Sequence, residues 1–469
     1  MLRKNILSNY LWFSLLILIL FVVFRLAILL LYSYPFNLYC SDSITYLRLA
    51  LNPGQADANR PSGYPAILSL ILPLFFNHWY VLSFIQSALS FCLVYLALKI
   101  LRNKLSIPLI FLWICLVFFN FQTVFMEKSI MSESISYSFL ILGSLIIISG
   151  LNRWWKYILI GIIAGLLPLL RTNFLIFSLL FICIPIVRMS FSRGNIQKHA
   201  AVYVMLLCLP FVFINSMYIH FFVYPKLGVK QMSSFGGRAL FSRVMEFTSC
   251  NTLKNINVER TFLTTLVTTC GETSQQGYSQ IMFSEDGLIY KVNNKLHLDR
   301  AKSDALYFDA SRQLIFKEPL VIAKIFFESM KDTFTADDSF YQSNRYPIDA
   351  RCAEYLDKFG IDYQVFTNRN DLNYSNPSIL LFAFLAALSQ KAIVLVLYVL
   401  IPFWLSIKMI QLKPKRFVKE YGESLIIWAV SVLYFTVTLI FTGFDYRYMQ
   451  PLWLIAAWGI YNTLTKSKS

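Results

Sequence analysis

The sequence predicts an all-α polytopic membrane protein of about ten to eleven transmembrane helices, with a smaller and mainly helical extracytoplasmic domain. Three observations carry that expectation. The 469 residues are 57% hydrophobic and 14% charged, whereas soluble domains carry about 25% charged residues, and the mean hydropathy is +0.57. The apolar residues fall in runs of about 20, the length a helix needs to cross a bilayer core. The net charge of +17 is unevenly spread: residues 223–376 hold 18 basic and 18 acidic residues, and the other 24 basic and 7 acidic residues carry the whole excess.

Those basic residues sit in short gaps between apolar runs: Arg3/Lys4, Lys99/Arg102/Lys104, Arg153/Lys156, Arg188/Arg193/Lys198, Lys408/Lys413/Lys415/Arg416/Lys419 and Lys466/Lys468. Short basic loops remain cytoplasmic, which implies cytoplasmic termini. A nucleic-acid partner would require a basic face on a folded domain, and none is present. The 17% aromatic content instead suits a bilayer partner, with Trp and Tyr at its interfaces.

Taken in order, the candidate spans are 10–32, 79–101, 107–125, 133–150, 157–170, 173–187, 200–222, 391–410, 423–442 and 449–464. The pair 157–170 and 173–187 is short, and 377–388 reads as an eleventh, partial helix or an interfacial segment. The first run is too long for a signal-peptide core and lacks a small-x-small cleavage site, so it reads as an uncleaved anchor. Residues 1–222 form an N-terminal transmembrane module with a first outer loop at 33–78. Residues 223–376 form the extracytoplasmic domain, and 377–469 a C-terminal transmembrane module. The domain's clearest helix starts at Pro319, with Leu320, Ala323, Phe327, Met330 and Phe334 as one apolar stripe. Cys92, Cys115, Cys183 and Cys208 fall in spans as small hydrophobes. Cys40, Cys250, Cys270 and Cys352 fall outside and allow three pairings; Cys250–Cys270 is the simplest, and free thiols are the alternative.

The stretch Ser41–Pro65 is the richest in chemistry. Asp42, Tyr46 and Ala50 recur every four residues, on one face of a short helix. The run Asn59-Arg60-Pro61-Ser62-Gly63-Tyr64-Pro65 then imposes a rigid turn back toward the membrane. Further along come Glu127-Lys128-Ser129 and Ser132-Glu133-Ser134, then Gly161…Gly165-Leu166…Leu170-Arg171-Thr172-Asn173. Asp445-Tyr446-Arg447-Tyr448…Pro451 closes the set.

Asp-x3-Tyr-x3-Ala in the first outer loop, followed by Arg-Pro-x-Gly-Tyr-Pro, resembles the GT-C glycosyltransferase superfamily, closest to the branch of protein mannosyltransferases and the lipid A aminoarabinose transferase. The later motifs follow that family's order, with Thr172 where the family usually has Pro. The likeness covers residues 1–190 and 440–469 and is weak across the outer domain. It implies a GT-C-like fold and a polyprenyl-phosphate sugar donor, with Asp42 at the reaction centre. It further implies a site facing outward from a bacterial plasma membrane, acting on an envelope glycan, lipid or protein acceptor.

The chemistry is coherent on the residues alone. An acceptor hydroxyl must lose its proton, and an aspartate within hydrogen-bond reach serves as general base. The departing phosphate gains charge, which fixed cations in a water-poor site stabilise, and Arg binds phosphate oxygens in pairs. Arg60, Arg171, Arg447 and Lys128 are the phosphate-binding candidates; Tyr46, Tyr64, Tyr448, Glu127 and Glu133 are the acceptor-binding or supporting ones. Each has a plainer alternative: Asp42 as a helix cap, the arginines as headgroup anchors, Glu127 and Glu133 as solvated loop charges. Arg25 lies inside the first span, where a charge costs about 2.5–3.5 kcal/mol, so it either snorkels or faces a cavity. Some GT-C enzymes hold a divalent ion on Asp-x-Asp. Here the first loop offers only Ser41-Asp42-Ser43, and Asp337-Asp338 reads as a solvated turn. The expectation is therefore a metal-independent, inverting reaction without a cofactor. An O-antigen polymerase or ligase and a non-catalytic lipid-glycan transporter are the competing classes.

Overall fold

A backbone in lipid must satisfy its own hydrogen bonds, so apolar runs of this length coil into helices. The computed structural model follows that rule, and no β-strand occurs among the described residues, which are 2–31, 40–57, 59–75, 80–127, 129–191, 195–230, 232, 236–273, 281, 284–335, 388, 391–442 and 450–466. The protein is an all-α polytopic membrane protein. Among the described residues seven helices are long and apolar enough to cross a membrane: Tyr10–Ala27, Val81–Leu101, Ser132–Ser149, Thr172–Phe191, Ala200–Leu227, Lys391–Gln411 and Glu420–Phe441.

The first part of the chain comprises α1 (Leu2–Leu31), α2 (Cys40–Leu51), α3 (Gly63–Phe75), α4 (Tyr80–Leu101), α5 (Ile107–Phe118), α6 (Phe121–Glu127), α7 (Ser132–Ser149), α8 (Trp154–Leu170), α9 (Leu175–Phe191), α10 (Asn195–Lys198) and α11 (Ala200–Met217). The expected span 107–125 is two helices, not one. At Asn120 the side-chain amide donates to Leu116 O and Val117 O, and its carbonyl oxygen accepts the Thr123 N–H at 2.9 Å, so one residue both ends α5 and caps α6. Helices α8 and α11 approach closely because Gly161 and Gly165 present no side chain. A Cβ at Gly161 would lie 2.3 Å from Leu207 O.

The chain continues through a wide π-helical turn (Tyr218–Val223) into α12 (Tyr224–Leu227) and then α13 (Gly236–Glu246), α14 (Cys250–Leu253), α15 (Arg260–Glu272), α16 (Leu288–Leu296), α17 (Arg300–Lys317) and α18 (Leu320–Thr335). A Cys250–Cys270 disulfide, with Cα atoms 5.8 Å apart, ties α14 to α15. Helix α18 begins where Pro319 places it, but the stripe expected from the sequence is split, with Met330 packed against the bundle's apolar cluster and Leu320, Phe327 and Phe334 exposed. Val321, Ile325, Ser329 and Thr333 are buried, while Leu320 is 73% and Phe327 69% exposed. Apolar residues stand on more than one side of the helix, so periodicity alone does not select the buried one.

After a π-helical turn (Val396–Leu400) come α19 (Ile401–Gln411), α20 (Pro414–Thr442) and α21 (Gln450–Lys466). Helix α21 is the centre of the bundle: residues 451–458 are all buried, and Trp458 lies 6.3 Å from the Phe181 ring. One large apolar cluster joins α1, α4, α5, α7, α8, α9, α20 and α21, and a separate one joins α13, α15, α16, α17 and α18. Near the end of α9, Arg188 grips Glu423 of α20 through two bonds of 2.7 and 2.9 Å. Arg171 and Asn173 stand at the other end of α9, where the candidate site lies.

Candidate functional site

Helix α2 presents one buried face, as its four-residue spacing requires: Asp42, Tyr46 and Ala50 are all buried. The adjacent Ser43 hydroxyl donates to Ile130 O at 3.0 Å, which docks α2 on the segment leading into α7. The return loop is shaped by an acidic residue outside the sequence candidates. Asp57 accepts the N–H groups of Asn59 and Arg60 at 2.7 and 3.2 Å on one oxygen and the Arg48 guanidinium at 2.8 Å on the other. Ser62 N–H donates to the Tyr218 hydroxyl at 2.9 Å. Gly63 is required next, because a Cβ there would lie 2.5 Å from Leu169 O in α8.

This scaffold places the Arg60 guanidinium in an ion pair with the Asp42 carboxylate, beside the Tyr46 ring at 5.8 Å. The Tyr64 ring meets Tyr46 edge-on at 5.0 Å. A polar chain then crosses the bundle. The Tyr46 hydroxyl bonds the Ser132 hydroxyl at 3.0 Å, and Ser132 donates to Glu133 Oε2 at 3.2 Å. Glu133 pairs with Arg171, whose Nε donates to Asn173 Oδ1 at 3.1 Å. Burial pushes the Tyr46 hydroxyl up from its ordinary pKa, opposed by the nearby Arg60 and Arg171 cations. Tyr46 therefore stays a neutral hydroxyl that donates or accepts a bond. The arrangement sets two guanidiniums, each paired with a carboxylate, along one polar chain through Tyr46 and Ser132.

Six candidates, Asp42, Tyr46, Arg60, Tyr64, Glu133 and Arg171, converge here. Glu127 belongs to a neighbouring network. Arg25 spans its carboxylate with Nε and Nη2 at 2.9 Å each and donates from Nη1 to Phe118 O at 2.8 Å. Ser87 adds a bond to Glu127 at 3.0 Å, and the guanidinium lies 4.2 Å from the Phe21 ring centroid. Arg25 thus faces the bundle rather than snorkelling. Lys128, Arg447, Tyr448, Asp445, Asp337, Asp338 and Cys352, and the segment 377–387, lie outside the described residues.

Three participants were not singled out from sequence. Ser132 bridges Tyr46 to Glu133, and its signal was its place in Ser132-Glu133-Ser134. Asp57 organises the loop, and an Asp two residues before Asn59 is an ordinary turn signal. Arg238 of α13 reaches Asn59 Oδ1 at 2.6 Å while its backbone N–H donates to Asp304 at 2.9 Å; no local pattern marks it. Among the described residues no three His, Cys, Asp or Glu side chains gather as a metal site. No protein-family model, curated protein or solved structure matches this chain.

Proposed function

We propose that the protein is a glycosyltransferase that moves a sugar from a polyprenyl-phosphate donor to an envelope glycan, lipid or protein acceptor on the outer side of the membrane. The observation that carries this reading is the pair of carboxylate–guanidinium couples, one half-buried between Asp42 and Arg60 and one buried between Glu133 and Arg171, joined through Tyr46 and Ser132 at one end of a helical membrane bundle. The GT-C-like order of the sequence motifs points the same way.

In the proposed reaction the acceptor hydroxyl attacks the sugar's anomeric carbon from the face opposite the phosphate. The new carbon–oxygen bond forms as the bond to phosphate breaks, and the anomeric configuration inverts. The Asp42 carboxylate takes the hydroxyl proton, and polyprenyl phosphate leaves with the bonding electrons. Phosphate is already a good leaving group, so electrostatic stabilisation does most of the remaining work. Arg60 and Arg171 supply it, with Lys128 and Arg447 as further candidate cations. An arriving donor phosphate competes with Asp42 for Arg60, which releases the base when the donor is seated. Tyr46, Tyr64 and Glu133 hold the two arginines and the acceptor, and Glu127 and Tyr448 are further candidates for that role. The isoprenoid tail stays in the bilayer, since each exposed CH₂ costs about 0.8 kcal/mol. No cofactor is invoked.

The test compares purified wild type with Asp42→Asn, using radiolabelled polyprenyl-phosphate sugars as donors and membrane extracts as acceptors. Asn keeps the size of the side chain but takes no proton. Transfer is expected to fall by at least 100-fold, the scale of general-base catalysis, with donor binding retained. Full activity in the variant, or a wild type that leaves every donor chemically intact, would refute the proposal; the second outcome is that of a transporter.

A further inference from the structure

Helix α18 carries apolar residues on more than one face, and among the described residues one of these strips is left exposed. Val321 and Ile325, 1% and 0% exposed, pack with α13, α15, α16 and α17, with Ile440 and Phe441 of α20 against the same cluster. On the next strip Phe326 and Met330 pack against the apolar cluster of the membrane bundle. The Phe326 ring lies 6.3 Å from Tyr398, whose hydroxyl bonds Thr436 at 2.9 Å. The Ser329 hydroxyl donates to Leu439 O at 3.2 Å and accepts from the buried Arg243 at 2.5 Å. These contacts fasten α18 beside the last turns of the span Glu420–Phe441. Thr436 precedes Phe441 by five residues, which is about 7.5 Å along a helix at 1.5 Å per residue.

The remaining strip is large and apolar: Leu320 is 73%, Phe327 69% and Phe334 43% exposed. Exposed Lys324 and Lys331 border this strip, Lys331 also pairing with Glu328 at 3.1 Å. We propose that this face of α18 is embedded in the bilayer leaflet next to α13–α18, with Leu320, Phe327 and Phe334 among acyl chains and Lys324 and Lys331 at lipid phosphates. Interfacial helices sink about 5–10 Å into the headgroup and acyl boundary, and α18's partners on α20 lie in the last turns of an apolar span. A continuous Leu/Phe strip in water would be an association hazard. Lysines beside such a strip extend their charges toward phosphate while their stems cover apolar surface. The inference does not depend on the transferase reading. The helices that pack on the site loop through Arg238 are thereby seated on lipid as well as on the bundle.

The test replaces Phe327, and separately Leu320, with photoreactive p-benzoylphenylalanine in the full chain. Each variant is reconstituted into vesicles of phosphatidylethanolamine and phosphatidylglycerol and irradiated, and the intact protein is weighed by mass spectrometry. Thr264, exposed on α15, carries the same label as the control. Both α18 positions are solvent-accessible in the chain, so the bulky label leaves packing intact, and each position reads independently of the other. The expected result is a mass gain of one phospholipid at 327 and 320 and none at 264. A doubled mass would assign the face to a second copy, and an adduct within the chain would assign it to another segment. Either result, the absence of any adduct, or equal lipid labelling at 264, would overturn the proposal.

Discussion

The Arg25–Glu127 pair permits a sharp test of what holds the bundle together near the site. The two side chains are 9% and 1% exposed and make a two-point contact, with Phe118 O and Ser87 as further partners. Removing one partner strands a buried charge, which costs about 3–5 kcal/mol. For a 469-residue chain unfolding as one unit, the usual unfolding entropy makes each kcal/mol worth roughly 1 °C. Arg25→Leu and Glu127→Gln should therefore each lower the melting temperature in detergent by about 3–5 °C. The double variant Arg25→Leu/Glu127→Leu strands no charge. Replacing a buried pair by apolar residues is often neutral or stabilising by about 1–4 kcal/mol, against about 1–3 kcal/mol for the unpartnered Phe118 carbonyl. It should melt within about 2 °C of the parent. The assay is intrinsic-fluorescence melting of the purified protein, with monodispersity after heating as a second readout. A double variant that loses the sum of the two single losses would refute the argument. Sugar transfer in the same double variant decides the role of Glu127: retained transfer makes the pair structural, and lost transfer joins it to the site.

Gly161→Val forces a side chain against the Leu207 carbonyl, 2.3 Å from its Cβ, so α8 and α11 must part; overpacking of this kind costs about 1–3 kcal/mol. Gly422→Ala, whose Cβ meets only Val418 Cγ1 at 3.6 Å, should be neutral or stabilising by up to about 1 kcal/mol in the same heating assay. Replacing Cys250 and Cys270 together by Ser opens a loop of sequence separation 20, which loop entropy values at about 3 kcal/mol. Earlier unfolding of α13–α18 should appear as faster limited proteolysis, and reductant should reproduce it in the parent. Burial raises the Asp304 carboxyl above its ordinary range, against lowering hydrogen bonds from Arg238 and Gly237. The folded state then holds that proton to higher pH than the unfolded state does. This group's contribution to stability therefore falls as pH rises from the ordinary carboxylate range through the raised folded value. Asp304→Asn should remove that slope, as a melting series across pH would show.

What could be read from the sequence was what local spacing encodes. The helical face of Asp42, Tyr46 and Ala50 needed only a four-residue period, and the turn at Pro61–Gly63 only its residue types. Arg25 and Glu127 are 102 positions apart, and no local pattern announces their pairing; a span's hydropathy shows the cost of Arg25 and not its partner. The break at Asn120 was visible in principle, since Asn is a favoured N-cap residue, but the apolar residues on either side hid it. On α18 hydropathy was ambiguous because two strips are apolar. Only the docking of Ser329 and Ile325 against α20 and the neighbouring helices decides which of them faces inward.

The site loop shows why these long-range contacts bear on chemistry. The described loop residues 57 and 59–62 have no regular secondary structure, yet the N–H groups of Asn59, Arg60 and Ser62 are each taken by a side chain, two by Asp57 and one by Tyr218. The Asn59 side chain is held in turn by Arg238 from α13. A loop fixed from within, from a span and from α13 loses its freedom on folding rather than on binding. Within that loop the Arg60 side chain stays partly accessible, 25% exposed, while the Asp42 side chain it pairs with is 10% exposed. Its position depends on helices more than 150 residues away in sequence, since any shift of Arg238 is transmitted to Asn59, the residue beside it. Arg238 of α13, itself held by Asp304 of α17, therefore helps set the geometry of the Asp42–Arg60 couple, and these helices support the candidate site together with the bundle.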